Sequence, residues 1–133
     1  MNGSPHAACP SILVVEDHRS LRLSVVTWLQ LRFPGSLVQG VESGEEALAH
    51  VRAARPDLVL MDINLPGIDG LEATRRIKGQ APKTAVVILT THDTPRHRLA
   101  AAQAGAAGYI AKPDMETLFE ATVECLLESR ARS

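Results

Sequence analysis

Acidic, hydroxyl and amine side chains stand at the ends of short apolar segments in this chain. Glu16 and Asp17 directly follow the run ILVV, and Asp62 follows LVLM. Thr90 follows VVIL, and Lys112 follows GYIA. Aspartate is among the residues least favoured in strands. A carboxylate at the end of a buried strand therefore indicates a functional role for that side chain.

Three carboxylates in one place repel one another, which raises their pKa values. A divalent cation relieves this repulsion, and Mg²⁺ prefers oxygen ligands from one or two carboxylates together with water. We therefore expect Glu16, Asp17 and Asp62 to bind Mg²⁺. A backbone carbonyl near Asn64 would complete the protein's share of the ligands.

The remaining side chains suit a phosphoryl group. An aspartate carboxylate can accept a phosphoryl group and form an acyl phosphate. Lys112 is a point charge able to hold one phosphoryl oxygen, and the Thr90 hydroxyl can donate to another. Catalysis of such a transfer is mostly positioning and charge neutralisation, which the metal ion and Lys112 would supply.

The segments that position these groups alternate between strand and helix patterns. Apolar, β-branched runs predict five strands, at residues 11–17, 36–43, 57–62, 84–91 and 108–112. Amphipathic segments predict helices at 18–33, 44–54, 70–78, 94–104 and after 113, and Ser43 with Glu46 predicts a capping box. This alternation is typical of an α/β fold around a parallel sheet. Functional groups of such sheets lie beyond the carboxyl ends of the strands, where all the candidates fall.

Composition sets the class of protein. A chain of 133 residues with 45% hydrophobic and 22% charged residues predicts one globular domain, and a net charge of −1 gives no footprint for direct nucleic-acid binding. Cys9 and Cys125 form neither a disulfide framework nor a metal motif. The first ten residues do not resemble a signal peptide, and no apolar run has transmembrane length. We expect a cytoplasmic protein with no membrane partner.

Four motifs in this order resemble the receiver domain of bacterial two-component response regulators. They are ILVVEDH, PDLVLMDINLPGIDGLEATRRIK, VVILTT and AGAAGYIAKP, and the resemblance extends over residues 11–128. It implies a flavodoxin-like (βα)5 fold, whose doubly wound sheet has strand order 2-1-3-4-5. We expect a flexible leader at residues 1–10, a receiver domain at 11–129, and a tail or the start of a linker at 130–133.

The resemblance also implies a role for each candidate residue. Asp62 would accept a phosphoryl group from a sensor histidine kinase. Glu16, Asp17, Asp62 and the backbone carbonyl of Asn64 would bind Mg²⁺, and Lys112 would be the lysine of the pattern. The chain would then be a regulatory phosphoacceptor, whose only catalysis is its own phosphorylation and dephosphorylation.

The switch residues implied by the resemblance are Thr90 and Tyr109. Thr90 is chosen over Thr91 by its spacing to Lys112. Phosphorylation would alter the surface formed by the fourth helix, fifth strand and fifth helix. The side chains of Asn64 and His92, each two residues beyond a site residue, are predicted to tune hydrolysis of the acyl phosphate.

The motifs DINLPGIDGLEATRRI and AGAAGYIAK resemble receivers that are joined to LuxR-type helix-turn-helix domains. The output would be transcription through a separate DNA-binding domain, with possible homodimerisation on phosphorylation. A stand-alone receiver acting through protein–protein interaction is the alternative.

Two other classes fit less well. A haloacid-dehalogenase-type phosphatase needs an aspartate where this chain has Asn64. A flavodoxin-like cofactor binder needs a Ser/Thr/Gly phosphate loop where it has EDHRSLR.

Overall fold

Strands and helices alternate along the chain in the computed structural model, which describes residues 10–91, 93–112 and 121–128. The strands are β1 (Ser11–Val15), β2 (Leu37–Val41), β3 (Leu58–Met61), β4 (Ala85–Thr90) and β5 (Gly108–Ala111). The helices are α1 (Arg19–Arg32), α2 (Gly44–Ala54), α3 (Gly70–Gln80), α4 (Pro95–Ala104) and a helical segment, α5, at 121–128. The predicted leader at 1–10, apart from Pro10, and the tail at 130–133 lie outside the described residues.

All strand pairs are parallel, and the sheet has the order β2-β1-β3-β4-β5. This confirms the predicted doubly wound fold. β3 therefore lies at the centre of the sheet, between β1 and β4. The carboxyl ends of these three strands meet at one edge, so residues that follow them are brought together.

The sheet has a hydrophobic core on each face because successive side chains of a strand point to opposite faces. The first core cluster joins the sheet to α2, α3 and α4, and includes Leu13, Val59, Ile88, Ala47, Val51, Ala73, Ile77 and Ala101. The second joins the sheet to α1 and α5, and includes Ile12, Leu60, Leu89, Val25, Leu29 and Val123. Burial on both faces explains why the central strands are continuous apolar runs.

The strands are shorter than the sequence predicts, and this places the acids in loops. β1 ends at Val15 and β3 at Met61, so Asp62 lies just beyond the ladder. The backbone still continues the pairing, since the N–H of Asp62 donates to the carbonyl of Val15 at 3.1 Å. This bond fixes the backbone of Asp62 next to the end of β1. The side chain of Asp62 then lies at the carboxyl edge of the sheet, beyond the last residue of β3.

Side-chain caps define where the helices begin. Ser43 caps α2 as predicted, accepting the N–H of Glu46 at 3.1 Å. The second half of the predicted capping box is wrong, because the Glu46 carboxylate accepts the N–H of Glu42, not that of Ser43. Asp69 caps α3 by accepting the N–H of Glu72 at 2.8 Å. Each cap satisfies a backbone donor that has no partner within its helix.

Candidate functional site

Three acidic side chains from two loops converge at the carboxyl edge of the sheet. Glu16 and Asp17 lie in the loop after β1, and Asp62 begins the loop after β3. Ligand oxygens of the three carboxylates all lie within 4.8 Å of one another. Glu16 is 4% exposed and Asp62 6% exposed, whereas Asp17 faces solvent. The site is thus a partly buried acidic cluster with one open side.

Lys112 completes this cluster from the end of β5. Its Nζ lies 3.0 Å from Glu16 Oε1 and 3.6 Å from Asp62 Oδ2. The amine therefore bridges the two buried carboxylates. Its own side chain is only 17% exposed, so the attraction is screened less by water than it would be at an open surface.

The Glu16 carboxylate is held at both oxygens. Oε1 accepts from Lys112, and Oε2 accepts the N–H of His18 at 3.1 Å. Arg22 donates from Nη1 to the backbone carbonyl of Glu16 at 2.8 Å. A carboxylate oxygen has more than one lone pair, so these bonds orient Glu16 without preventing it from binding a cation. The sequence pattern gives no signal for this contact of Arg22, which lies six residues after Glu16 in the first turn of α1.

The pKa of Asp62 is raised from 3.8 to about 6. The largest cause is burial, and the second is the negative charge of Glu16. Lys112 and the N–H of Asn64, 3.4 Å from Asp62 Oδ1, act in the opposite direction without cancelling the effect. The cluster therefore carries more negative charge than its own cation neutralises. Its donors are all carboxylate oxygens, so among the described residues it fits Mg²⁺ or a similar hard cation.

Thr90 and Thr91 occupy different environments. Thr90 is the last residue of β4 and is fully buried, paired in register with Ala111, the residue before Lys112. Thr91 is exposed. The structure thus brings Thr90 beside the strand end that carries the lysine. This placement agrees with choosing Thr90, although its role as the switch stays a prediction.

Tyr109 is half-buried in β5 and packs against the first core cluster. The Arg98 guanidinium of α4 lies over its ring, 4.7 Å from the centroid, and Arg98 Nε pairs with Asp93 Oδ1 at 2.6 Å. Burial and then the charge of Asp93 raise the pKa of the Tyr109 phenol. Local spacing gives no signal for this cation–π contact, which joins residues on two separate elements. His92 lies outside the described residues.

Gly70 fixes the return of the β3–α3 loop towards Asp62. A Cβ at this position would lie 2.0 Å from the backbone oxygen of Asp62, so no other residue fits without movement of the backbone. The Gly70 N–H donates to the carbonyl of Ile63 at 2.9 Å, and the Thr74 hydroxyl donates to the carbonyl of Gly70 at 2.7 Å. The start of α3 is therefore joined directly to the backbone of the candidate site.

A doubly wound sheet with an acidic cluster and a lysine at its carboxyl edge defines a class of α/β proteins suited to phosphoryl chemistry. The family model for the response regulator receiver domain matches residues 12–123. The chain belongs to this family, as its sequence motifs predict. Switching by phosphorylation is the general function of the family, and sensor histidine kinases phosphorylate its receiver domains.

The chain is similar to transcriptional activator protein ExaE from Pseudomonas putida, with 41% identity over 101 residues, covering 76% of this chain and 47% of ExaE. It thus spans about half the length of such curated relatives. A LuxR-family response regulator from Aurantimonas sp. SI85-9A1 has a similar structure, with a TM-score of 0.81, 35% identity, and coverage of 90% of this chain and 85% of that one.

The Thermotoga maritima response regulator TrrA, solved in complex with Mg²⁺ and beryllium fluoride, has a TM-score of 0.78 and 32% identity. That match covers 88% of this chain and 98% of the TrrA chain. Within the described part of the chain, every helix is too short or too polar to span a bilayer.

Proposed function

We propose that this chain is a phosphorylation switch in which Asp62 accepts a phosphoryl group from a sensor histidine kinase, with Mg²⁺ bound by Glu16, Asp17, Asp62 and the backbone carbonyl of Asn64. The observation that carries the proposal is the cluster of three carboxylates within 4.8 Å, with Lys112 Nζ bridging two of them. The Mg²⁺ complex of the similar receiver TrrA supports the choice of metal.

Asp62 acts as the nucleophile. One carboxylate oxygen forms a bond to phosphorus while the P–N bond of the donor phosphohistidine breaks, and the imidazole nitrogen leaves with the electron pair. With a pKa of about 6, Asp62 is mostly ionised at neutral pH and can attack. The metal ion, when bound, neutralises charge on the phosphoryl oxygens. Lys112 adds a positive charge 3.6 Å from Asp62 Oδ2, and its contact with Glu16 Oε1 at 3.0 Å holds the amine at the site.

The acyl phosphate changes the environment of Thr90. Phosphorylation adds about −1.5 to −2 charge and strong hydrogen-bond acceptors, to which the Thr90 hydroxyl can donate. Thr90 and Ile88 lie two residues apart on β4, so their side chains share the face on which Tyr109 packs. Movement of Thr90 would therefore change the packing around the Tyr109 ring. A change in the position of Tyr109 would alter the surface formed by α4, β5 and α5. The exposed Asn64 side chain and His92 would tune the lifetime of the acyl phosphate.

The output of this switch is transcription through a separate DNA-binding domain. The name of the relative ExaE, a transcriptional activator, supports this output, and so does the LuxR-family regulator with a similar fold. The activated receiver works in the cytoplasm and forms a homodimer. A stand-alone receiver that acts on a partner protein is the alternative.

The test is incubation with acetyl phosphate and Mg²⁺, followed by intact mass spectrometry. We expect the wild type to gain one phosphoryl group, and Asp62→Asn or chelation of the metal to prevent it. Asp57→Asn, at the other end of β3, is the matched control and should be phosphorylated normally. Phosphorylation of Asp62→Asn, or none of the wild type, would contradict the proposal.

A further inference from the structure

The first turn of α2 touches the loop that connects β3 to α3. Glu45 Oε2 accepts the backbone N–H of Ile68 at 3.2 Å. Gly67, the preceding residue, has a φ of +75°, and a Cβ there would lie 2.4 Å from the same Oε2 atom. The carboxylate thus lies directly against the loop backbone, next to a residue whose positive φ favours glycine.

An apolar contact reinforces this bond. A Cβ on Gly44 would lie 2.8 Å from Ile68 Cγ1, so the Ile68 side chain rests on the first residue of α2. Ile68 also packs against the first core cluster. The tip of the loop is therefore held by α2 through one polar and one apolar contact.

The base of the same loop is held separately, by the N–H of Gly70 on the carbonyl of Ile63. Between these two anchors, Asn64, Pro66 and Gly67 are exposed and bury little surface of their own. A segment of this kind would lose conformational entropy when it is ordered around a ligand. An anchor at its tip removes part of that cost in advance.

We propose that Glu45 is a positioning residue for Mg²⁺ binding and phosphoryl transfer at Asp62. By holding the N–H of Ile68, Glu45 keeps the loop in the conformation that presents the Asn64 carbonyl to the metal ion. The inference rests on the proposed function, in which that carbonyl is a ligand. Glu45 itself belongs to α2 and acts through the loop backbone, without touching the reacting atoms.

The experiment compares Glu45→Ala and Glu45→Gln with Glu46→Ala, and measures Mg²⁺ affinity by calorimetry. Glu46 is the matched control because it carries the same charge on the same turn, but binds the N–H of Glu42. We expect Glu45→Ala to weaken Mg²⁺ binding roughly three- to tenfold, the range for loss of one ordinary hydrogen bond at an exposed position. Glu45→Gln keeps an acceptor oxygen, so it and Glu46→Ala should stay within about twofold of wild type, since a surface charge alone is screened by salt.

Amide hydrogen exchange in the metal-free proteins provides a readout that does not depend on the metal. The N–H of Ile68 should exchange faster in Glu45→Ala than in wild type or Glu46→Ala. Equal loss of Mg²⁺ affinity in Glu45→Ala and Glu46→Ala would overturn the inference, as would faster Ile68 exchange with unchanged affinity. A wild type that binds no Mg²⁺ would instead overturn the proposed function, and this inference with it.

Discussion

Two aspartates stand at the two ends of the central strand, and their surroundings differ. Asp57, just before β3, is half-buried, and its Oδ2 accepts the N–H of Ser11 at 2.9 Å. Asp62, just after β3, is buried beside Glu16, with Lys112 3.6 Å away. The first carboxylate ties two strands together. The second is crowded by like charge and has a raised pKa. The same residue type is thus a hydrogen-bonded structural group at the amino edge of this sheet and a buried, electrostatically crowded group at the carboxyl edge.

The largest expected effect tests whether the carboxyl edge is specialised for chemistry. Lys112→Met removes the amine that bridges Glu16 and Asp62. We expect phosphorylation by acetyl phosphate to slow by about a hundredfold or more, which is typical for loss of one group that stabilises developing charge. Lys83→Met, before the amino end of β4, is the control and should leave the rate unchanged. A rate for Lys112→Met within twofold of wild type would show that Lys112 takes no part in phosphorylation.

The second effect should have opposite signs at the two ends of β3. Without metal, Asp62 binds a proton more readily folded than unfolded, because its pKa rises from 3.8 to about 6. Stability therefore falls as pH increases from about 4 to 6. Asp62→Asn should raise the free energy of unfolding at pH 7 by up to about 3 kcal/mol, and the gain should vanish towards pH 4.

Asp57→Asn should do the reverse and lower the free energy of unfolding by about 1 kcal/mol, since it weakens a hydrogen bond to a charged acceptor. Urea unfolding in the presence of a chelator measures both variants. Destabilisation by Asp62→Asn would contradict the prediction, because it would mean that the ionised Asp62 carboxylate stabilises the fold at pH 7.

The smallest effect concerns competition between protons and the metal ion. Below pH 6 Asp62 is increasingly protonated, so Mg²⁺ must displace a proton to bind. We expect Mg²⁺ affinity to fall about tenfold between pH 7 and pH 5, one decade for each unit below the pKa. Calorimetric titration at the two pH values measures this change. Constant affinity would indicate that Asp62 does not bind the metal.

The sequence was sufficient to predict the fold and the members of the acidic cluster. Apolar runs that end in Glu16, Asp62 and Lys112 indicate strand ends, and a parallel sheet collects such ends at one edge. Strand boundaries were less predictable, because the acids that follow the apolar runs lie beyond the last ladder pairs.

Contacts between helix side chains and the backbone of the loops could not be predicted. Arg22 on the Glu16 carbonyl and Glu45 on the Ile68 N–H depend on how α1 and α2 pack against loops of the sheet. No local pattern of spacing encodes such contacts. The two halves of the capping box on α2 illustrate the same limit, because the motif predicts the residues but not which backbone N–H the Glu46 carboxylate binds.

The close approach of Gly70 to Asp62 has a mechanical consequence. The backbone of Gly70 packs tightly against the Asp62 carbonyl, and its N–H is bonded to the carbonyl of Ile63. Displacement of the start of α3 is therefore opposed by the backbone of the candidate site. We therefore expect rearrangement after modification of Asp62 at α4 and β5, further along the same face of the sheet, rather than at α3.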